Sequence, residues 1–156
     1  MSLMSEAKNS NALVIKHWVG APKQIIWDAY FTPELFHQFF SPEGLSIPLE
    51  SVVIEPWVGG QFACVMVFDA TGDESPNNGI LAEYDPPHRY VGTENIGEGF
   101  RSEWKFDEEN GGTLITVTQE GLPPELIGNP EVLEAFRSSY RKLGRLLNVP
   151  TENREA

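Results

Sequence analysis

The sequence predicts an α+β domain in which a curved antiparallel β-sheet wraps around one long C-terminal helix, with two short helices as a lid. Three observations predict it: a strand that passes through Ala21-Pro22 into a helix containing Trp27-Asp28-Ala29, a Val58-Gly59-Gly60-Gln61-Phe62 turn that opens a succession of short alternating runs, and an amphipathic stripe close to the end of the chain. A sheet accompanied by a single long helix buries its apolar face by curving around that helix, and such a wrap tends to leave a hollow.

The first strand is residues 12–19, Ala-Leu-Val-Ile-Lys-His-Trp-Val, rich in β-branched and aromatic side chains and stopped by Gly20. Pro22 opens a helix on which Ile25, Ile26, Ala29 and Tyr30 recur at helical spacing, and Pro33 forces a break before a second short piece, Glu34 to Phe40. Together they form a bent lid. Ser41 to Leu49, with two prolines and a glycine and no periodicity, reads as a loop beside it. Strands are expected over 51–56, 61–69, 79–85, 89–96, 99–107 and 113–120, with hairpin signals at Gly97-Glu98-Gly99 and Asn110-Gly111-Gly112. The clearest alternation puts Phe100, Ser102, Trp104 and Phe106 on a buried face and Arg101, Glu103, Lys105 and Asp107 toward water.

Asn129-Pro130-Glu131 supplies a cap, a proline at the first helical position and an acidic first turn. Val132, Leu133, Phe136, Tyr140, Leu143, Leu146 and Leu147 then repeat at three- and four-residue steps until Pro150 blocks continuation. Residues 151–156 read as a frayed polar tail, residues 4–150 as a single domain, and Met1-Ser2-Leu3 as a cloning remnant ahead of a natural start at Met4.

Eleven Lys and Arg against 23 Asp and Glu give the 156-residue chain a formal charge of -12, which disfavours nucleic acid and anionic membrane surfaces as partners. Cys64 is the single cysteine, so an intramolecular disulfide is excluded and a reducing, cytoplasmic location fits. No segment approaches the ~20 apolar residues of a membrane span, and neither a basic-then-apolar leader nor an internal repeat is visible.

Several short words occur in the order in which one family carries them: Ala21-Pro22 with Ile26-Trp27-Asp28-Ala29; Thr32-Pro33-Glu34-Leu35; Ser41-Pro42-Glu43-Gly44; Glu55-Pro56-Trp57-Val58-Gly59-Gly60-Gln61-Phe62; Gly79 with Glu83; Pro86-Pro87-His88-Arg89; and Gly112-Thr113. From about Leu13 to Leu147 the chain resembles the SRPBCC superfamily, which includes START domains, birch-pollen-allergen-like proteins and polyketide cyclases, and within it the activator of heat-shock-protein-90 ATPase homologue family. The resemblance implies a helix-grip fold and a hydrophobic cavity. Glu55-Pro56-Trp57 departs from the family's Asp-x-Arg approach to the double glycine, Phe39 stands where Trp is usual after the lid, Ser139-Tyr140 replaces a Gly-Trp pair, and Gly92 and Glu94 replace an aromatic pair. These departures fall where they reshape a cavity.

The expected cavity lining is Phe39, Phe62, Met66, Tyr84, Trp104, Val117, Phe136 and Tyr140, although a filled core would use the same residue types. On residues 89–96, alternation puts Tyr90, Gly92, Glu94 and Ile96 on one inward face. A buried Glu94 carboxyl would titrate high and serve as acid, base or ligand contact, with Ser102 and Gln119 completing a polar spot; a bulge or strand end would leave it solvated instead. His17, His37 and His88 show no metal-ligand spacing, so no metal and no cofactor is expected, and Cys64 reads as a packed small hydrophobe. Gly59-Gly60 precedes a strand rather than a helix, so it is a turn and not a phosphate cradle.

Three functions fit. The first is a carrier of a hydrophobic or amphipathic small molecule. The second, implied by the family's name, is a co-chaperone that stimulates a chaperone ATPase through a surface. The third is a cyclase or hydrolase working in the cavity, with Glu94, His37 or Tyr140 moving a proton. The sequence fits a monomer or a homodimer.

Overall fold

The computed structural model describes residues 12–94 and 99–154. The elements run β1 (Leu13–Val19), α1 (Lys23–Phe31), α2 (Pro33–Phe39), β2 (Leu45–Ser46), β3 (Val53–Ile54), β4 (Gln61–Phe68), β5 (Glu74–Asp85), β6 (Arg89–Glu94), β7 (Arg101–Glu109), β8 (Gly112–Glu120), α3 (Pro130–Leu147) and β9 (Thr151–Asn153). Single turns of 3-10 helix occupy Leu49–Ser51 and Pro124–Leu126.

Among the described residues nine strands form one sheet in the order β2-β4-β5-β6-β7-β8-β1-β9, with β3 also paired to β4. Every pairing is antiparallel. The helices lie on one face, which makes this the expected α+β helix-grip arrangement. Asn110 and Gly111 join β7 to β8 with φ of 48° and 74°, the pair of positive values that a two-residue hairpin turn matched to strand twist requires. The other hairpin signal, at Gly97-Glu98, lies outside the described residues, as does Ile96.

Thr32 is extended, as a residue before proline prefers, and it both ends α1 and precedes Pro33 at the start of α2. The lid is therefore bent at one residue. Asn129 Oδ1 accepts from the Glu131 backbone N–H at 2.8 Å to open α3, and Asn148 closes it in the left-handed conformation.

Four sequence expectations need correction. The strand expected over 51–56 is only Val53–Ile54, because the preceding residues turn as 3-10 helix. The loop from Ser41 to Leu49 contains the two-residue strand β2. The strand expected from Gly79 begins at Glu74 and includes Pro76; among the described residues this first stretch pairs only with β4, so it has an open side on which proline is tolerated. The tail is not frayed at its start, since Thr151–Asn153 pairs with Val19–His17 of β1.

That return depends on Gly144. A Cβ there would lie 2.6 Å from Thr151 Cγ2 and 2.9 Å from the Val149 carbonyl oxygen, so the chain can fold back against α3 only over a glycine. At this end the core is fully closed: Ile15, Val19, Ile26, Tyr30, Phe106, Ile115 and Leu143 all have 0% exposure. Removing such side chains from water contributes roughly 1.5–3 kcal/mol each.

Candidate functional site: the cavity beneath the N-terminal half of the long helix

The other end of the same sheet is not filled. A cavity of about 520 Å³ lies between the inward faces of β4–β8, the end of the lid and the first half of α3. Alternation on each strand decides what faces it: Phe62, Cys64 and Met66 on β4, Asn77 and Gly79 on β5, Tyr90, Gly92 and Glu94 on β6, Ser102 and Trp104 on β7, and Gln119 on β8. Phe36 and Phe40 close the lid side; Val132, Ala135, Phe136, Ser139 and Tyr140 face it from α3.

Two glycines lie on this wall for different reasons. A Cβ on Gly92 would meet only the Ile80 carbonyl oxygen, at 3.9 Å, so this position projects into open volume. Gly79 has a different reason: a Cβ there would lie 2.6 Å from the Phe62 carbonyl oxygen, where the two strands approach closely.

The lid loop is fastened to α3 by polar side chains. Ser139 Oγ donates to the Phe39 carbonyl at 2.9 Å, the Glu43 backbone N–H donates to Ser138 Oγ at 3.0 Å, and Lys142 Nζ donates to the carbonyls of Ser41, Pro42 and Leu45 at 2.8, 3.2 and 3.3 Å. Burial pulls the Lys142 ammonium below the usual lysine range.

One wall is polar. Trp104 Nε1 donates to Ser102 Oγ at 2.9 Å, and Gln119 Nε2 donates to the same oxygen at 3.3 Å. Glu94 ends β6 opposite Gly79, is half-buried, and receives a hydrogen bond from the Asn77 side chain. Burial holds its carboxyl above the usual carboxylate range, and the Asn77 bond offsets part of that rise. Burial, and secondarily the charge of Glu94, push the Cys64 thiol up to about 12, so it stays protonated at neutral pH and is no nucleophile. Tyr90 is 2% exposed, and burial raises its phenol well above the ordinary value.

The structure thus brings together Phe62, Met66, Glu94, Ser102, Trp104, Gln119, Phe136 and Tyr140, all named from sequence, around one cavity. Three other expected lining residues sit elsewhere. Phe39 is wholly buried with its ring edge-on to Tyr30 at 4.9 Å, and Val117 is wholly buried in the main core. Tyr84 does face inward, opposite Tyr90 after the bulge at Ala82 in β5, but it packs under α1 against Trp27 and Phe31, beyond the cavity. His37 also leaves the candidate set: its Nδ1 lies 3.1 Å from the Ile47 carbonyl oxygen, and the residue is not on the cavity wall. His17 is a core residue, stacked on Tyr140 at 4.7 Å between ring centres. Asn77, Gly79 and Phe36 were missed; reading Ser75–Asn78 as strand would have placed Asn77 on the face it shares with Gly79.

Among the described residues no cluster of three His, Cys, Asp or Glu side chains is arranged to hold a metal ion, and no helix is long and apolar enough to cross a membrane. The arrangement can enclose an apolar body, orient it at one polar wall and exchange a proton at Glu94.

Comparison with known proteins agrees with this geometry. Residues 20–148 match the model of the family described as activator of Hsp90 ATPase homolog 1-like protein. The chain belongs to that family. Solved structures give the same fold. A protein from Rhodobacter sphaeroides superposes with a TM-score of 0.79 at 20% identity, over 89% of this chain and 93% of that one. One from Nitrosomonas europaea gives 0.76 at 22% identity, over 89% and 95%. The AHSA1-like protein from Aeromonas hydrophila gives 0.73 at 15%, over 86% and 92%. No curated protein matches the chain. At these identities the structural neighbours establish the fold of this family member and nothing about its ligand.

Proposed function

We propose that this protein binds a hydrophobic or amphipathic small molecule between the sheet and α3. The observation that carries the reading is the cavity of about 520 Å³ with aromatic walls and a single polar side, a volume within the roughly 300–1,000 Å³ of sites that enclose drug-sized ligands. Apolar walls supply affinity by burial, and the few hydrogen-bonding groups fix orientation. Native mass spectrometry of the protein as purified, before and after denaturation, tests it. The expected result is loss of a mass on the order of a few hundred daltons, or uptake of an added apolar probe such as ethylnaphthalene. A protein that releases nothing and takes up no apolar probe is not a carrier.

The family's description favours a second reading, stimulation of a chaperone ATPase through the outer surface. Trp57 and Val58, 55% and 64% exposed at the turn before β4, are an apolar pair that such a contact would use. Titrating the protein into the chaperone should then raise its ATPase rate, and Trp57→Ser should reduce the effect. An unchanged rate removes this reading and leaves the carrier untouched.

A further inference from the structure

The cavity's charge is one-sided. Among the described residues its ionisable wall residues are Glu94, Glu131, Cys64 and the two tyrosines, and no Lys, Arg or His lines it. A ligand carboxylate or phosphate would enter beside two like-signed groups with no cation to receive it, inside a protein of net charge -12. Fatty acids and acyl phosphates are therefore poor occupants.

Hydrogen bonding points the same way. The polar wall spends most of its N–H groups on itself: the Trp104 indole and one Gln119 N–H are directed at Ser102 Oγ, and the Asn77 side chain serves Glu94. The carboxylate of Glu94 and the Gln119 side-chain oxygen remain as acceptors, beside the Tyr90 hydroxyl, which has no partner among the described residues and can donate or accept; the one charged complement the wall calls for is a cationic donor. Around them stand the rings of Phe62, Tyr90, Trp104 and Phe136, whose faces attract a cation as well as an apolar surface.

Resting on the carrier reading above, we propose that the ligand is an amine with a flat apolar body, its protonated nitrogen against the Glu94 carboxylate and its body among the aromatic rings. An ammonium at that position would also offset the burial that raises Glu94's titration, adding an ion pair to the Asn77 hydrogen bond.

Three probes with a common naphthalene body and an ethylamine, a propanoate or an ethyl tail test the proposal by calorimetry near neutral pH. The amine should bind at least about tenfold tighter than the ethyl compound, with the propanoate weakest. In Glu94→Gln the ratio of the amine and ethyl dissociation constants should fall to about one; a thermal melt of that variant checks that it is folded, and Glu94→Asp should recover part of the ratio. Equal binding of amine and propanoate, or an amine preference that survives in folded Glu94→Gln, overturns the proposal. If the ethyl compound binds and the amine has no advantage, only this inference falls; if none of the three binds, the carrier reading falls with it.

Discussion

At the C-terminal end of α3, Leu143 is fully buried, Gly144 lets Val149 and Thr151 return against the helix, and β1 and β9 pack beneath it. At the N-terminal end, Val132 and Phe136 belong to the same stripe and remain only partly buried over a hollow. The helix barely differs between its ends. The sheet does: under the packed end it presents Ile15, Val19 and Ile115, and under the hollow end Gly79, Gly92, Ser102 and Gln119. An amphipathic stripe says which way a helix faces, and the opposing strands decide whether that face meets a core or a cavity.

The largest test of this contrast is truncation at the two ends. Leu143→Ala should cost about 2–5 kcal/mol in urea unfolding, as expected for a closed core, while Val132→Ala should cost less than about 1 kcal/mol. Equal costs would mean that the hollow end is as tightly packed as the other.

The packed end should also set the acid limit. His17 is 3% exposed and neither ring nitrogen has a hydrogen-bond partner among the described residues. Burial first, then the positive charges of Arg141 and Arg137 on α3 and Arg154 after β9, lower its pKa from 6.5 to about 4, against a small opposing effect of Glu152. A depressed folded-state value means the unfolded chain takes up the proton first. His17's contribution is thus complete above about pH 6.5 and drains away between there and about pH 4. Urea unfolding should show a loss of about 2–3 kcal/mol from this site at about pH 4.5 relative to neutral pH. His17→Phe, which keeps a flat ring against Tyr140, should flatten that limb; an unaltered acid limb in the variant would assign the loss to other groups.

At the hollow end the lid should depend on its polar fastening. Lys142→Met leaves three backbone carbonyls without their shared donor and should cost about 1–2 kcal/mol. Hydrogen exchange should then rise at Phe40–Leu45 and stay unchanged in β1. A uniform rise would show that the lid is not a separate unit.

Smallest in stability and sharpest in function is Gly92→Leu. Its side chain has only open volume to enter, so stability should change by about 1 kcal/mol or less, while uptake of an apolar probe is lost. Retained uptake would place the ligand elsewhere.

Much of this molecule can be read from the sequence where backbone chemistry dominates: Pro33 breaking the lid, Asn110-Gly111 making the hairpin, Asn129-Pro130 starting α3. Glu94 is legible too, through its shared alternation with Tyr90. What escapes is whatever depends on a partner distant in the chain. Ser138 and Ser139 lie outside the apolar stripe of α3, yet both are buried and hydrogen-bonded to the lid and the loop after it. Tyr84 faces inward as expected, yet α1 covers it through Trp27 and Phe31, a contact that alternation along β5 does not announce. Phe39 and Val117 are rightly apolar and inward, but periodicity does not say how far along the sheet the hollow extends.

The short outer strands have a consequence for how this chain behaves in a crowded solution. β2 covers Val67 and Phe68 on β4, β3 covers Phe62 and Ala63, and in the gap between them the Val65 backbone N–H donates to Ser51 Oγ at 3.1 Å. On the opposite margin three residues of β9 cover part of β1, and the Arg154 backbone N–H reaches the Lys16 carbonyl at 3.0 Å. A wide antiparallel sheet usually invites a stranger to add itself at the edge; among the described residues both outer margins carry short fragments and the open side of Glu74–Asn78 carries Pro76, which leaves edge-to-edge polymerisation little backbone to begin from.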